Sequence, residues 1–347
     1  MTTRRLLPIA LSLVTLAGCG DTPVDARSQA IESTRVAIAA DLAELTAAVR
    51  EIRDAAPAPD ADGWNAAADA AAVARMRVAW KRARRAYEHV EGAIALLFPD
   101  LDVSMDERYD GFVVELPGRH DANLFDGQGV TGMHAVERIL WSNETPSYVV
   151  DFERRIAGDG YTPAAFPSNA LEATQFREGL MARLVDDAQT LQREFAPLAL
   201  DTAAAWRGVT GSIAEQVEKL SKAATAEEES RYSNTTLFDM RANLEGARRT
   251  FGAFRPWLVE RGQQALITQI DARFDAIDRA YAAIASDALP RIPAGWNADA
   301  PSAEHLATPY GQLFTLLTRE SSAATAGALV ALMTTAGDAM GIARLSR

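Results

Sequence analysis

The feature that most constrains this chain is a spacing. Trp80, Ala83, Tyr87, Val90, Ile94 and Leu97 recur at alternating steps of three and four residues, and Leu237, Met240, Leu244, Ala247, Phe251 and Phe254 repeat the same stepping. Side chains so spaced share one face of an α-helix, and such a stripe has to be covered by partner helices. The rest of the chain is rich in alanine and poor in alternating β-branched runs, so helix is expected almost throughout. Helical segments are read over 31–53, 64–98, 131–141, 171–195, 202–224, 235–257 and 263–289, with helical pattern resuming after 301. Pro57, Pro59 and Pro99 break the early segments. Residues 100–129 read as irregular, 143–169 as a long loop, 197–201 as a weak boundary and 290–301 as a break. This pattern predicts an all-α protein of two antiparallel, up-down four-helix bundles packed side by side. The N-terminal bundle is placed over 29–200 and the C-terminal one over 201–347.

The first residues read differently. Arg4 and Arg5 precede an apolar run from 6 to 17, then Gly18 and Cys19. About a dozen apolar residues are too few to cross a bilayer as a helix and suit a signal peptide. Leu16-Ala17-Gly18-Cys19 resembles a bacterial lipobox. That implies removal of residues 1–18, acylation of the Cys19 thiol and a short polar tether over 19–28. A lipid-anchored protein of the bacterial envelope is therefore expected, facing the periplasm or the cell surface and held to the membrane through Cys19. Cys19 is the only cysteine, which excludes an internal disulfide framework and any cysteine-based zinc or iron–sulfur site. The 35 Lys and Arg stand against 47 Asp and Glu, a net charge of −12. Without residues 1–18 the count is 33 against 47, or −14. Such an acid excess argues against nucleic-acid binding and against docking on anionic lipid through a polybasic patch.

Of the four histidines, His89, His120, His134 and His305, only His134 sits in a suggestive setting. It lies three residues before Glu137, so the two side chains share a helix face. An imidazole and a carboxylate at that spacing can grip one metal ion, as the reversed Glu-x-x-His step does in di-iron bundles. The same spacing also serves a plain hydrogen-bonded pair on a helix surface. Glu88 and Glu91 are again three apart. Arg84 precedes Glu88 by four, the spacing of an exposed helix ion pair. Glu91 falls near the Trp80 side of the stripe, where a carboxylate would need a cation or a donor. Asp100, Asp102, Asp106 and Asp110 crowd the segment that follows. Asp-rich segments bind hard cations, and they also form turns and caps; the spacing is not that of an EF-hand. The chain has no phosphate-binding glycine loop and no Gly-x-Ser-x-Gly elbow. Arg138 follows Glu137 where an inverted His-x-x-Glu-His zinc hydrolase would need histidine.

Together these segments resemble one family. Gly132-Met133-His134-Ala135-Val136-Glu137 is similar to the Gly-x-His-x-x-Glu signature of imelysin-type proteins. Tyr87-Glu88-His89-Val90-Glu91 followed by Asp100-Leu101-Asp102 and Asp106 resembles an acidic run of the EfeO/EfeM branch. Tyr232-Ser233-Asn234-Thr235-Thr236-Leu237 with Ala242-Asn243-Leu244-Glu245-Gly246-Ala247 resembles a second conserved stretch of that branch. Asn234 stands where the branch usually has His, and Gly92 where it usually has Pro. Nothing in the chain reads as a cupredoxin domain, which places it nearer the shorter EfeM form. The resemblance implies an envelope protein of two helical bundles with a cleft between them, capturing a metal ion for uptake beside an iron permease and a haem-dependent peroxidase. Carried over residue by residue, the implied metal ligands are His134, Glu137, Glu88, Glu91 and Asp106, with Glu245 as a cleft residue from the facing bundle. A carboxylate-rich set with one imidazole suits iron, and also zinc or manganese. Two other functions are open at this stage. One is an imelysin-type metallopeptidase in which Glu137 serves a metal-bound water, although hydrolytic zinc sites usually have more than one histidine. The other is a non-catalytic surface lipoprotein that binds a polyanion or a protein partner.

Overall fold

The structure is a computed structural model that describes residues 25–343. Cys19 and the lipobox lie outside the described residues. Within them the chain is all-α, with no strand. The helices are α1 (Ala26–Ala55), α2 (Ala70–Glu88), α3 (Glu91–Leu97), α4 (Pro99–Asp106), α5 (Tyr109–Glu115), α6 (Gly132–Leu140), α7 (Ser147–Ala157), α8 (Ala170–Gln175), α9 (Met181–Phe195), α10 (Thr202–Lys222), α11 (Thr236–Glu260), α12 (Gln264–Ala282), α13 (Ala303–Leu306), α14 (Pro309–Glu320) and α15 (Leu329–Met340). A π-turn over Phe176–Leu180 joins α8 to α9, so the helical reading of 171–195 is one continuous rod. None of these helices is long and apolar enough to cross a membrane.

Both stripes face inward. Trp80, Ala83, Tyr87, Val90 and Ile94 are buried, as are all six residues of the Leu237 stripe. Burial of an aromatic stripe of this size is the main term holding the helices together, at about 25 cal/mol for each Å² of apolar surface removed from water. Helices α1, α2, α6 and α9 pack on one another, and so do α10, α11, α12, α14 and α15. The two groups meet where α11 lies on α1 and α2 and where α10 lies on α3. Glycine permits both approaches. A Cβ at Gly246 would stand 2.3 Å from the His89 carbonyl oxygen, and one at Gly92 would stand 2.4 Å from the Gly208 carbonyl oxygen. These contacts bring the end of α2 and the start of α3 against α10 and α11.

Three local expectations need correction. The segment read as one helix over 64–98 starts at Ala70 and is interrupted at His89 and Val90, so Glu88 ends one helix and Glu91 opens the next. Pro99 begins α4 rather than ending a helix, because the first turn needs no N–H from that position. The stretches read as irregular contain α4, α5 and α7. These are two or three turns long and bury only one to four side chains each, too few for a period of 3.6 to show in sequence.

Candidate metal centre

The site grows from α6. Gly132 adopts a left-handed φ of 83°, and its Cα packs where a Cβ would lie 2.6 Å from the Met105 carbonyl oxygen. This seats α6 against the end of α4. Trp80 in α2 donates to the Met133 carbonyl oxygen at 2.9 Å and pins α6 from the other side. His134 and Glu137 are thereby fully buried. Glu137 Oε2 lies 2.9 Å from His134 Nδ1, while its Oε1 accepts from the Ser233 N–H at 2.8 Å and the Ser233 hydroxyl at 2.7 Å. Both carboxylate oxygens are therefore used in holding the imidazole and the 226–235 segment.

The other imidazole nitrogen is different. His134 Nε2 is buried and makes no hydrogen bond, with Asp106 Oδ1 and Glu229 Oε1 each 3.6 Å away. Two ligand atoms bound about 2.1 Å from one tetrahedral ion stand roughly 3.4 Å apart, close to these two separations. Asp106, His134 and Glu229 place one donor atom each within 4.8 Å of the others, and so do Glu88, Glu91 and Glu229. The donor set fits a metal ion: two hard carboxylates, one imidazole, and a third carboxylate holding the far ring nitrogen.

The chain's own cations sit among these acids. Arg84, entirely buried, pairs with Asp106 and Glu88 and approaches Glu229 at 3.4 Å. Lys219 Nζ lies 3.0 Å from Glu88, 2.9 Å from Glu91 and 3.7 Å from Glu229. Arg108 donates to Glu229 at 3.1 Å. Asn243 donates to Glu91 at 2.8 Å and takes its orientation from Gln216, which Tyr281 holds in turn. Seven carboxyl groups (Glu88, Glu91, Asp102, Asp106, Glu137, Glu229, Asp239) thus face three permanent cations (Arg84, Arg108, Lys219).

Protons make up part of the difference. Burial pushes Asp106 up to about 7 in spite of Arg84 and His134, and burial likewise pushes Asp239 up to about 7. Burial and the neighbouring Glu88 push Glu91 well above the usual carboxylate range. Burial is the largest influence on Glu229 and Glu88 and acts to raise them, but Lys219 and Arg84 together, joined at Glu229 by His134 and Arg108, outweigh it and hold both below that range. For His134, burial and Arg84 oppose the charged ring, yet Glu137, Glu229 and Asp106 outweigh them and raise it to about 9. An entering cation would meet carboxyl and imidazolium protons that it can displace.

A solvent-facing cavity of about 220 Å³ opens on this cluster, lined by Glu91, Asp102, Asp106, Glu107, Glu215, Glu218 and Glu229 together with Arg108, Lys219 and Lys222. Glu229 and Ser233 are positioned by Tyr232, whose hydroxyl donates to Glu153 at 2.6 Å. Glu153 is held by Arg138 at 2.8 Å, so the 226–235 segment is tied to α6 and α7 through buried, fully paired groups.

Glu88, Glu91, Asp106, His134 and Glu137 all converge here. Glu137 lies behind the imidazole rather than beside Nε2. The Arg84–Glu88 pair, expected on the surface, is fully buried and part of the cluster. Glu245 lies elsewhere: it is exposed, pairs with Arg85 at 2.8 Å and meets His89 at 3.2 Å. Sequence reading missed Glu229, Lys219, Arg108 and Asp239. The run Glu227-Glu228-Glu229 just ahead of Tyr232-Ser233 was the one available signal for the first of these.

A sequence model of the imelysin family matches residues 38–320. The chain is 28% identical over 273 residues to the iron uptake system component EfeO of Yersinia pestis, covering 78% of this chain and 58% of that protein. It is 27% identical over 196 residues to the iron uptake system component EfeM of Pseudomonas syringae pv. syringae, covering 56% and 54%. It is 26% identical over 249 residues to the EfeO component of Escherichia coli, covering 72% and 52%. The chain therefore spans a little over half the length of these relatives.

Proposed function

The chain belongs to the imelysin family, and from that premise we propose that it captures iron for uptake. On this reading it is a lipid-anchored envelope protein, held through Cys19, and its cargo is an iron ion passed on to a permease. The observation that carries the proposal is His134 Nε2, a buried ring nitrogen with no hydrogen bond, facing the carboxylates of Asp106 and Glu229. At 3.6 Å both carboxylates meet the ring only as loose ion pairs, and a bound cation that displaced the ring proton would bridge all three groups. The names of the EfeO and EfeM relatives support iron as the ion.

The acids lining the cavity draw a cation inward, and Glu91 and Glu88 receive it next. Asp106, Glu229 and His134 then hold it, while Glu137 fixes the ring with Nε2 directed at the ion. Carboxylates and one imidazole suit iron in either common oxidation state. The test is calorimetric titration of the purified protein with zinc, a redox-silent probe of the same donor set. His134→Gln and Glu229→Gln should each weaken binding by at least about tenfold, as loss of a ligand or its support does. Wild-type affinity in both variants would refute the site.

A further inference from the structure

Lys219 occupies an unusual place. Its side chain is 6% exposed, and its ammonium lies within 3.1 Å of both oxygens of Glu91 and within 3.3 Å of both oxygens of Glu88. The Glu229 carboxylate stands 3.7 Å off. Those three carboxylates are also a set whose oxygens lie close enough together to hold one metal ion. A protein cation and a metal ion cannot share that position, because both need the same lone pairs and repel one another. The lysine comes from α10, and Glu88 and Glu91 come from α2 and α3, so the pairing also ties the two helix groups across the cleft.

A second position for the lysine is built into α10. Glu215 precedes it by four residues, on the same helix face and in the favourable acid-before-base order. Glu215, partly buried, lines the same cavity as Lys219, Glu218 and Lys222. An unbranched four-carbon stem on a rigid helix can swing its ammonium from the inner carboxylates to that of Glu215 by side-chain rotation alone. The cavity supplies about 220 Å³ for that movement.

Building on iron capture as proposed above, we propose that Lys219 is a displaceable counter-ion. It holds the inner carboxylates together while no metal is present, and moves out onto Glu215 when an ion is taken up. The lysine then sets a threshold: every ion must supply enough binding free energy to expel an ammonium already held by two or three carboxylates. Zinc and iron, which can pass on through the shared Glu229 to the imidazole of His134, meet it; magnesium and calcium, which favour oxygen alone, meet it less readily.

The experiment uses the full-length protein with zinc as the probe. Solvent-exposed amines are acetylated with a small reagent, with and without zinc, and Lys219 is quantified by peptide mass spectrometry against Lys222. Zinc should raise the acetylation of Lys219 relative to Lys222. Unchanged or lowered acetylation, in a sample that calorimetry shows to be zinc-loaded, overturns the displacement and leaves metal capture standing. Failure of wild-type protein to bind zinc at all overturns both. In parallel, Lys219→Met should bind zinc roughly tenfold more tightly, within the range usual for coupled equilibria, and should gain affinity for calcium. Weaker zinc binding by a folded Lys219→Met, with its circular dichroism spectrum and melting cooperativity intact, would likewise overturn the inference. If that variant does not fold, the acetylation result decides alone.

Discussion

Metal uptake at this site should expel protons, and the number follows from the groups that hold them. His134, raised to about 9, is about 99% protonated at pH 7, and Asp106, raised to about 7, is about half protonated there. An ion bound to His134 Nε2 and Asp106 Oδ1 must displace both populations, about 1.5 protons in all. The protonated forms compete with the metal, so affinity rises with pH. Between pH 7 and 6 the average release from these two groups approaches 1.7 protons, which corresponds to zinc binding about 50-fold weaker at pH 6. Titration calorimetry in buffers of different ionisation enthalpy measures the release directly at pH 7, and repeat titrations at pH 6 and 8 measure the slope. His134→Gln should lower the released count by about one. A heat of binding that does not depend on the buffer, together with equal affinities at pH 6 and 8, would refute the assignment of these two groups as ligands.

Other consequences are open to measurement. Glu137→Gln should weaken zinc binding about 10–100-fold, the usual effect of removing the group that orients a ligating histidine, whereas Glu245→Gln should leave the affinity unchanged; calorimetry on the two variants separates buried from surface carboxylate. Gly246→Ala should destabilise the protein by about 1–3 kcal/mol in a denaturant melt, because its Cβ would meet the His89 carbonyl oxygen at 2.3 Å. Asp106, Asp239 and His134 all have folded-state pKa values above their unfolded ones. Their contribution to stability is fully present below the unfolded values and is lost as pH rises through about 7 for the acids and about 9 for the imidazole. The metal-free protein is therefore expected to melt at a lower temperature at pH 9 than at pH 6, and a flat or opposite trend would contradict the protonation pattern.

Much of the helical layout could be read from the order of apolar residues, because long helices that bury one face repeat their signal over many turns. The stripe from Trp80 and the stripe from Leu237 are of this kind. Helices α4, α5 and α7 escaped notice since each offers two or three turns and few buried side chains. The break at His89 and Val90 carries no proline or glycine at the break itself; the crossing of α11, made possible by Gly246, lies against it. At the site, His134 and Glu137 were legible because one helix places both. Glu229, Lys219 and Asp239 come from two other helices and a connecting segment, and only the packing of α10 and α11 on α2 and α3 brings them in. The arginine four residues before Glu88 was visible, but its burial depends on Asp106, Glu229 and Asp239 surrounding it. Spacing along one helix cannot report neighbours that arrive from elsewhere in the chain.

A crystal of the full-length protein soaked in zinc, with anomalous scattering recorded at the zinc edge, tests the metal centre most directly. The expected result is a peak about 2.0–2.2 Å from His134 Nε2, with one oxygen of Asp106 and one of Glu229 at similar distance, and Glu137 still on the far ring nitrogen. A peak confined to the surface acids, or a loaded protein in which His134 Nε2 contacts no metal, would contradict it.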